Sequence, residues 1–518
     1  MKPGIGTQVG HRPESRYQST SHAINLGSSI ARLSLWTPSK HLRVYEMVND
    51  RCVFTKWVFS GLVLMGFLSG SALPLELPAT QSRDHTFIAY WPPAENSNGL
   101  RLAVKDLIDV KGVVTTAGSK YVAKNSPPAA RDAGCLSIAR ARNVQIVGKT
   151  NLSEFAISPS GINDYYGTPK NHLGGWLHRY IPGGSSSGSA AAITSGMADI
   201  AFGTDSDGSV RVPAACCGIV GLKTTFGLIS LDGVFPVEPK HLDTVGPMGK
   251  DVARVAEGMD LLQNGFAARY RAAMAARPSA GPIKIGRLYV KSPNPGNLAM
   301  GVTDVEGLLL SVTDLKNLFF GVTNPEKLSL GGTDPRIDKA VDEALAKAQF
   351  QVTPLDQEFT AKWRQAQKDS NIVGAVGAWM SDQKYQFKPG VSARANSVIL
   401  LGKILQTEYR GALRRQADWQ RTLSELFEKV DFIALPTLQT LPLTIPLVGS
   451  PALLEARVLA LQNTSAVNLA GNPALAIPIP VRHANVPVTS LQLVGRKFSE
   501  AELLNAGRLI EESNRRHD

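Results

Sequence analysis

The residues best suited to chemistry lie in three short runs. The first is Ile181-Pro182-Gly183-Gly184-Ser185-Ser186-Ser187-Gly188-Ser189-Ala190-Ala191-Ala192. Small side chains there let backbone N–H groups face a cavity and let a helix start against close neighbours. A helix is expected from Ala190 to Met197, which separates this run from a flexible Gly/Ser linker. The second run is Gly203-Thr204-Asp205-Ser206-Asp207-Gly208-Ser209-Val210-Arg211-Val212-Pro213-Ala214, which follows an apolar strand. Consecutive N–H groups in such a turn can stabilise an oxyanion, and Ser209 sits where the turn ends. The third run is Ala103-Val104-Lys105-Asp106-Leu107-Ile108-Asp109. Lys105 ends an apolar strand. If its amine is buried, the ammonium is disfavoured and the lysine becomes a usable base. A lysine at a strand end is also commonly a surface residue whose tip reaches water.

Two other patterns fail on inspection. Gly184-Ser185-Ser186-Ser187-Gly188 fits the G-x-S-x-G turn, with Ser186 as nucleophile. That turn needs a buried strand before it and a His–acid pair after it. His178-Arg179-Tyr180-Ile181-Pro182 is a poor strand, and neither His241 nor His483 lies in a persuasive motif. Gly148-Lys149-Thr150 resembles the end of a phosphate loop. Such a loop needs glycine at 143, where the chain has Asn143.

The elements that would hold these runs are short apolar strands alternating with helical stretches. Strands are expected at Leu102–Val104, Val144–Val147, Asp199–Gly203, Asp431–Leu435, Ala474–Pro478 and Leu491–Val494. Helical stretches are expected at about Ala133–Arg142 and at Glu500–Arg515. This alternation predicts an α/β fold with a central twisted mixed, mostly parallel sheet covered by helices on both faces. The Pro-rich stretch 435–451 reads as an irregular segment near a pocket. Gly301-Val302-Thr303-Asp304 recurs, with variation, every ten residues through Gly331-Gly332-Thr333-Asp334. We read this as a duplicated loop-to-helix junction inserted at about 296–334, its last copy running into a helix at Pro335–Ala348. Trp379, Met380 and Tyr385 either line a pocket or pack in the core.

Taken together, the three runs resemble the amidase signature family of serine hydrolases. The resemblance covers about residues 84–515, which would form one large domain. Further matches, in the family's order, are Gly148 to Phe155, Cys217 to Lys223, Asp243 to Met248, Asn468 to Pro473 and Leu491 to Arg496. The resemblance implies a Ser–cisSer–Lys triad, with Ser209 as nucleophile, Ser185 as bridging serine and Lys105 as base. The two serines are 24 residues apart, as in the family. It also implies a cis peptide between Gly184 and Ser185. The expected reaction is cleavage of a carboxamide C–N bond through an acyl-enzyme, with no cofactor and no metal. The backbone N–H groups of Ser206, Asp207, Gly208 and Ser209 would form the oxyanion hole. Asn151, Ser186, Thr204, Asp205 and Arg211 are expected to support the site, Asp205 and Arg211 by pairing with each other. One departure is Asp207-Gly208 where the family commonly has Gly-Gly.

The chain also resembles the A subunit of glutamine-dependent tRNA amidotransferase, which works with partner subunits. A third reading is a non-catalytic binding protein on the same fold. Such proteins lose triad residues, and this chain keeps all three. A chain of 518 residues with 43% hydrophobic and 19% charged residues is folded, which excludes a disordered or polytopic membrane protein. Four cysteines without a C-x-x-C pair exclude a disulfide scaffold and a zinc ribbon. The net charge is +12 but contains no long basic run, so no nucleic-acid partner is expected. A small-molecule or peptide amide is the expected partner, and a homodimer is compatible with the sequence. Residues 1–46 read as disordered or as mis-annotated upstream sequence. Residues 47–72 combine a basic flank, the apolar run 57–68 and small residues ending at Ala72, which is the pattern of an export signal. Left uncleaved, 57–68 would associate the protein with a membrane; without export the protein would be cytoplasmic.

Overall fold

In the strand Arg101–Lys105 successive side chains point to opposite faces, and this alternation organises the centre of the molecule. Leu102 and Val104 enter one apolar cluster and Ala103 enters another. Lys105 leaves on the same face as Ala103. The computed structural model describes residues 81–82, 84–93, 99–174, 179–276, 281–290, 333–446 and 451–516.

Among the described residues eleven strands form one sheet. They are β1 (Phe87–Tyr90), β2 (Arg101–Lys105), β3 (Gln145–Thr150), β4 (Ile200–Asp205), β5 (Val220–Lys223), β6 (Thr244–Gly249), β7 (Lys284–Arg287), β8 (Gln351–Pro354), β9 (Phe432–Pro436), β10 (Ala474–Pro480) and β11 (Val488–Val494). Their order across the sheet is β1-β3-β2-β4-β6-β5-β10-β11-β9-β7-β8. All six expected strands are present, and the fold is α/β with a mixed sheet. The balance of directions differs from the expectation of a mostly parallel sheet. Four pairings are parallel (β2 with β3 and β4, β7 with β8 and β9) and six are antiparallel. The reason lies in the connections. Parallel neighbours need a long crossover, whereas residues 224–243 join β5 to β6 without a helix, and 481–487 join β10 to β11 as a hairpin.

Helices cover both faces. On one face Leu102, Phe202, Leu475 and Ile477 pack with Val255 and Met259 of the helix Val252–Leu262 and with Leu503 and Leu504 of Glu500–Arg515. On the other, Ala103, Ala201 and Ala476 meet the small buried side chains of the helices Ser187–Thr194 and Arg211–Cys217. Further along that face, Leu435 and Ile433 pack under the helices Gln357–Asp382, Gln406–Leu426 and Ser465–Ala470. The long helix Gln357–Asp382 starts on Asp356, whose carboxylate accepts the Phe359 N–H at 2.7 Å.

The prefix 1–46, the apolar run 57–68 and its cleavage point after Ala72 lie outside the described residues. So do the ten-residue repeats, except Thr333 and Asp334. Asp334 caps the helix Pro335–Lys347, accepting the Arg336 N–H at 2.9 Å, with Pro335 in the first turn. Among the described residues no helix is long and apolar enough to cross a membrane.

Candidate active site

Lys105, at the end of β2, is fully buried. Its Nζ donates to Ser185 Oγ at 2.7 Å and to Thr204 Oγ1 at 2.8 Å. Burial lowers its pKa from 10.5 to about 7, against the opposing pull of the Asp205 and Asp243 carboxylates. The amine is therefore neutral in a large fraction of molecules near pH 7. The second buried lysine nearby, Lys149, is instead paired with Asp106 at 2.9 Å.

Ser185 reaches Lys105 because small residues let its segment pass close to its surroundings. The Gly184–Ser185 peptide is cis. The Gly184 N–H donates to Pro159 O at 2.7 Å, and Ser185 O accepts the Ser153 N–H at 3.2 Å. A Cβ on Gly184 would lie 2.6 Å from Gly161 N and 2.7 Å from Ser158 O, so no larger residue fits. The helix Ser187–Thr194 follows, buried from Ser187 to Ile193. It is displaced by about one turn from its expected span, Ala190–Met197, because the helix begins inside the serine run itself.

The Ser186 N–H donates to Ser209 O at 3.2 Å, which ties this segment to the second run. There the Asp205 carboxylate closes the turn by accepting the N–H groups of Gly208 at 2.8 Å and Val210 at 3.1 Å. Arg211 grips the same carboxylate through Nε at 3.0 Å and Nη2 at 2.9 Å. Its remaining donors go to Thr464 O at 3.0 Å, Gln492 Oε1 at 2.7 Å and Asn468 Oδ1 at 2.5 Å. Burial raises the Asp205 pKa, but the Arg211 charge and hydrogen bonds outweigh it and hold the carboxyl well below the usual range. This pair matches the sequence expectation. The expected donor set does not hold in full. The Gly208 N–H is committed to Asp205, which removes it from the oxyanion hole. Among the described residues the N–H groups of Ser206, Asp207 and Ser209 make no other hydrogen bond.

Ser209, Ser206, Asp207 and Gly184 line one cavity. Its walls are mainly apolar, among them Ile157, Val237, Val398, Leu401 and Leu459. Thus the cavity brings the backbone of the cis serine segment and the Ser209 turn together, with Lys105 directly behind Ser185.

The other expected residues take up different positions. Thr204 contacts Lys105 directly, and Ser186 Oγ donates to Thr204 O at 3.2 Å. The Asn151 side chain donates to His85 O at 2.9 Å and Gly167 O at 2.8 Å and so braces the neighbouring loops. Trp379, Met380 and Tyr385 do not line this cavity, although Tyr385 lines a separate hollow with Phe235 and Ser381. Tyr385 stacks on Phe155, Trp379 packs at the edge of the same cluster, and Met380 is exposed. Residues 441, 442 and 444 of the Pro-rich stretch line a separate surface hollow. Sequence reasoning did not single out Asp243, which accepts Ser206 Oγ at 2.6 Å and the N–H groups of Val237 and Glu238. Nor did it find Gln462, Ser370 and Asn371, which surround Asp207. Asp243 lay within a noted motif; the other three carry no local signature. Among the described residues no cluster of His, Cys, Asp or Glu is placed to hold a metal ion.

A family model described as Amidase matches residues 95–286 and 343–504, flanking the stretch that holds the repeats. The A subunit of glutamyl-tRNA(Gln) amidotransferase from Halobacterium salinarum is 33% identical over 431 residues, covering 80% of this chain and 95% of that one. The same subunit of Methanospirillum hungatei is 29% identical over 440 residues, covering 83% and 96%. In fold, the chain resembles the crystal structure of that subunit from Thermotoga maritima, with TM-score 0.60, 22% identity and coverage of 82% and 87%. It also resembles 6-aminohexanoate cyclic dimer hydrolase, with TM-score 0.63, 20% identity and coverage of 80% and 85%. The chain belongs to the amidase family of enzymes.

Proposed function

We propose that this chain is an amidohydrolase that converts an amide and water to a carboxylate and ammonia or an amine. Ser209 is the nucleophile, Ser185 the bridging serine and Lys105 the base. The observation that carries this reading is the buried, pKa-lowered amine of Lys105 at 2.7 Å from Ser185 Oγ, directly behind the cavity that Ser209 lines. Neutral Lys105 accepts the Ser185 proton as Ser185 accepts that of Ser209. Ser209 Oγ then attacks the carbonyl carbon. Backbone N–H groups of Ser206, Asp207 and Ser209 meet the developing oxyanion. Lys105 returns the proton through Ser185 to the leaving nitrogen as the C–N bond breaks. Water, deprotonated along the same route, hydrolyses the acyl-enzyme and restores Ser209.

A fluorophosphonate probe tests the reading. Intact mass and peptide mapping should place one adduct on Ser209, and Lys105→Ala should abolish it. Ser209→Ala should lower amide turnover by at least about 10³-fold with the fold intact, and Ser185→Ala should leave slightly more activity. Undiminished turnover by Ser209→Ala would end this mechanism.

The relatives named as amidotransferase subunits favour a second reading, in which the same triad releases ammonia from glutamine within a larger assembly. Under that reading the isolated chain would be labelled by the probe. It would hydrolyse glutamine only when its partner subunits are added.

A further inference from the structure

Among the described residues, the cavity wall beside Ser209 carries two acidic side chains, Asp207 and Glu455, and no lysine or arginine. The two acids are in opposite electrostatic states. Glu455 is neutralised by Arg394, and it also accepts the Ser160 hydroxyl at 2.5 Å and the Ser160 N–H at 3.0 Å. Asp207 has only neutral donors. Ser370 Oγ reaches Oδ1 at 3.2 Å and Gln462 Nε2 reaches Oδ2 at 3.1 Å. The Asn371 amide, oriented so that its nitrogen faces acceptors, donates to Oδ2 at 3.0 Å. The Arg211 guanidinium, whose charge reaches Asp207, is paired with Asp205, whose own charge opposes it. Neutral donors hold a carboxylate in place without cancelling its charge. An ionised Asp207 therefore gives the cavity a negative charge that no described residue of its wall balances.

That charge sits two residues before Ser209, on the same cavity wall. A substrate cation placed there would complete the pairing. A substrate carboxylate would meet an acid and find no cation among the described wall residues. We propose that Asp207 is a specificity-determining residue that selects amides carrying an ammonium or similar cation and works against amides carrying a carboxylate. This rests on the reading of Ser209 as nucleophile.

The test uses the full chain at about pH 8.5, where Asp207, which burial pushes up to about 7, is ionised. Three amides of similar size are compared: pentanamide (neutral), 4-aminobutanamide (cationic) and succinamate (anionic). Each competes with the fluorophosphonate probe for Ser209, so binding is read whether or not turnover follows. The expected result is protection by 4-aminobutanamide at concentrations at least about tenfold below those needed for succinamate. In Asp207→Asn that ratio should fall towards one; Asp207→Gly, which restores the family's common Gly-Gly, provides a second variant. Equal protection by the cationic and anionic amides, including none by either, overturns the proposal. So does a ratio that survives both substitutions. A wild-type Ser209 that takes no label instead removes the nucleophile reading, and this proposal with it.

Discussion

Replacing Lys105 with methionine removes the amine but keeps an unbranched chain in the same buried slot. The wild-type amine falls from a pKa of 10.5 to about 7, chiefly because burial penalises its charged form. At about 1.4 kcal/mol per pH unit, that displacement is worth roughly 5 kcal/mol. Below about pH 7 the lysine is protonated in both folded and unfolded chains, and the folded protein bears the whole penalty. Between about pH 7 and 10.5 the unfolded chain binds more protons than the folded one, so wild-type stability rises with pH. Lys105→Met lacks this dependence. Urea unfolding of both proteins should therefore show the variant's relative advantage shrinking by about 1.4 kcal/mol per pH unit from pH 7 to 9. The hydrogen bonds that methionine fails to make to Ser185 and Thr204 add a cost that does not vary with pH. Burial also pushes Asp207 to about 7, but Asp207 is present in both proteins and cancels in the difference. By the same titration, kcat/KM of the wild type should fall tenfold per unit as pH drops below about 7. This limb should persist in Asp207→Asn. A stability difference that stays constant from pH 6 to 9 would refute the argument, because Lys105 would then have an ordinary pKa.

Two further substitutions probe the scaffold. Arg211→Met leaves the Asp205 carboxylate buried without its cation, and should destabilise the protein by roughly 3–5 kcal/mol in denaturant unfolding. Gly188→Ala would gain about 1 kcal/mol in an unobstructed helix. Here the new Cβ would meet Thr86 O as well as Asn151 N at 2.5 Å and Asn151 O at 2.6 Å, all backbone atoms. The substitution should instead lower the melting temperature, at a net cost of roughly 1–3 kcal/mol.

The residues of the proposed triad stood out because each lies inside a local pattern, and their roles came from the resemblance to the amidase signature family. Lys105 ends a run of apolar residues, while Ser185 and Ser209 sit among residues too small to fill a core by themselves. What those patterns left out depends on distance along the chain. Nothing near Arg211 signals that Gln492, 281 residues later, will accept its hydrogen bond. Gln462 and Ser370 surround Asp207 only after two helices have packed over the sheet. The antiparallel centre of the sheet was equally hidden. Val220–Lys223 is only four residues long, and Thr244–Gly249 contains two glycines and a proline, so neither reads as a strand. The helix Gln357–Asp382 did carry a readable signal, with Asp356 at its cap and Phe359, Trp363 and Ala366 on one buried stripe.

The clamp on Arg211 also sets an order of events during synthesis. Residues 205–211 leave the ribosome early, whereas Thr464, Asn468 and Gln492 emerge near the end. β10, which fills the slot between β5 and β11, is equally late. At ~5–20 residues per second, the delay between Arg211 and Gln492 is roughly 15–60 s. Throughout that interval the nascent chain holds Lys105, Ser185 and Ser209 without the groups that fix the turn between them. On the reading proposed above, hydrolytic competence arrives only when translation has passed residue 492. A truncated product ending before residue 464 would carry all three residues of the proposed triad without the groups that clamp Arg211.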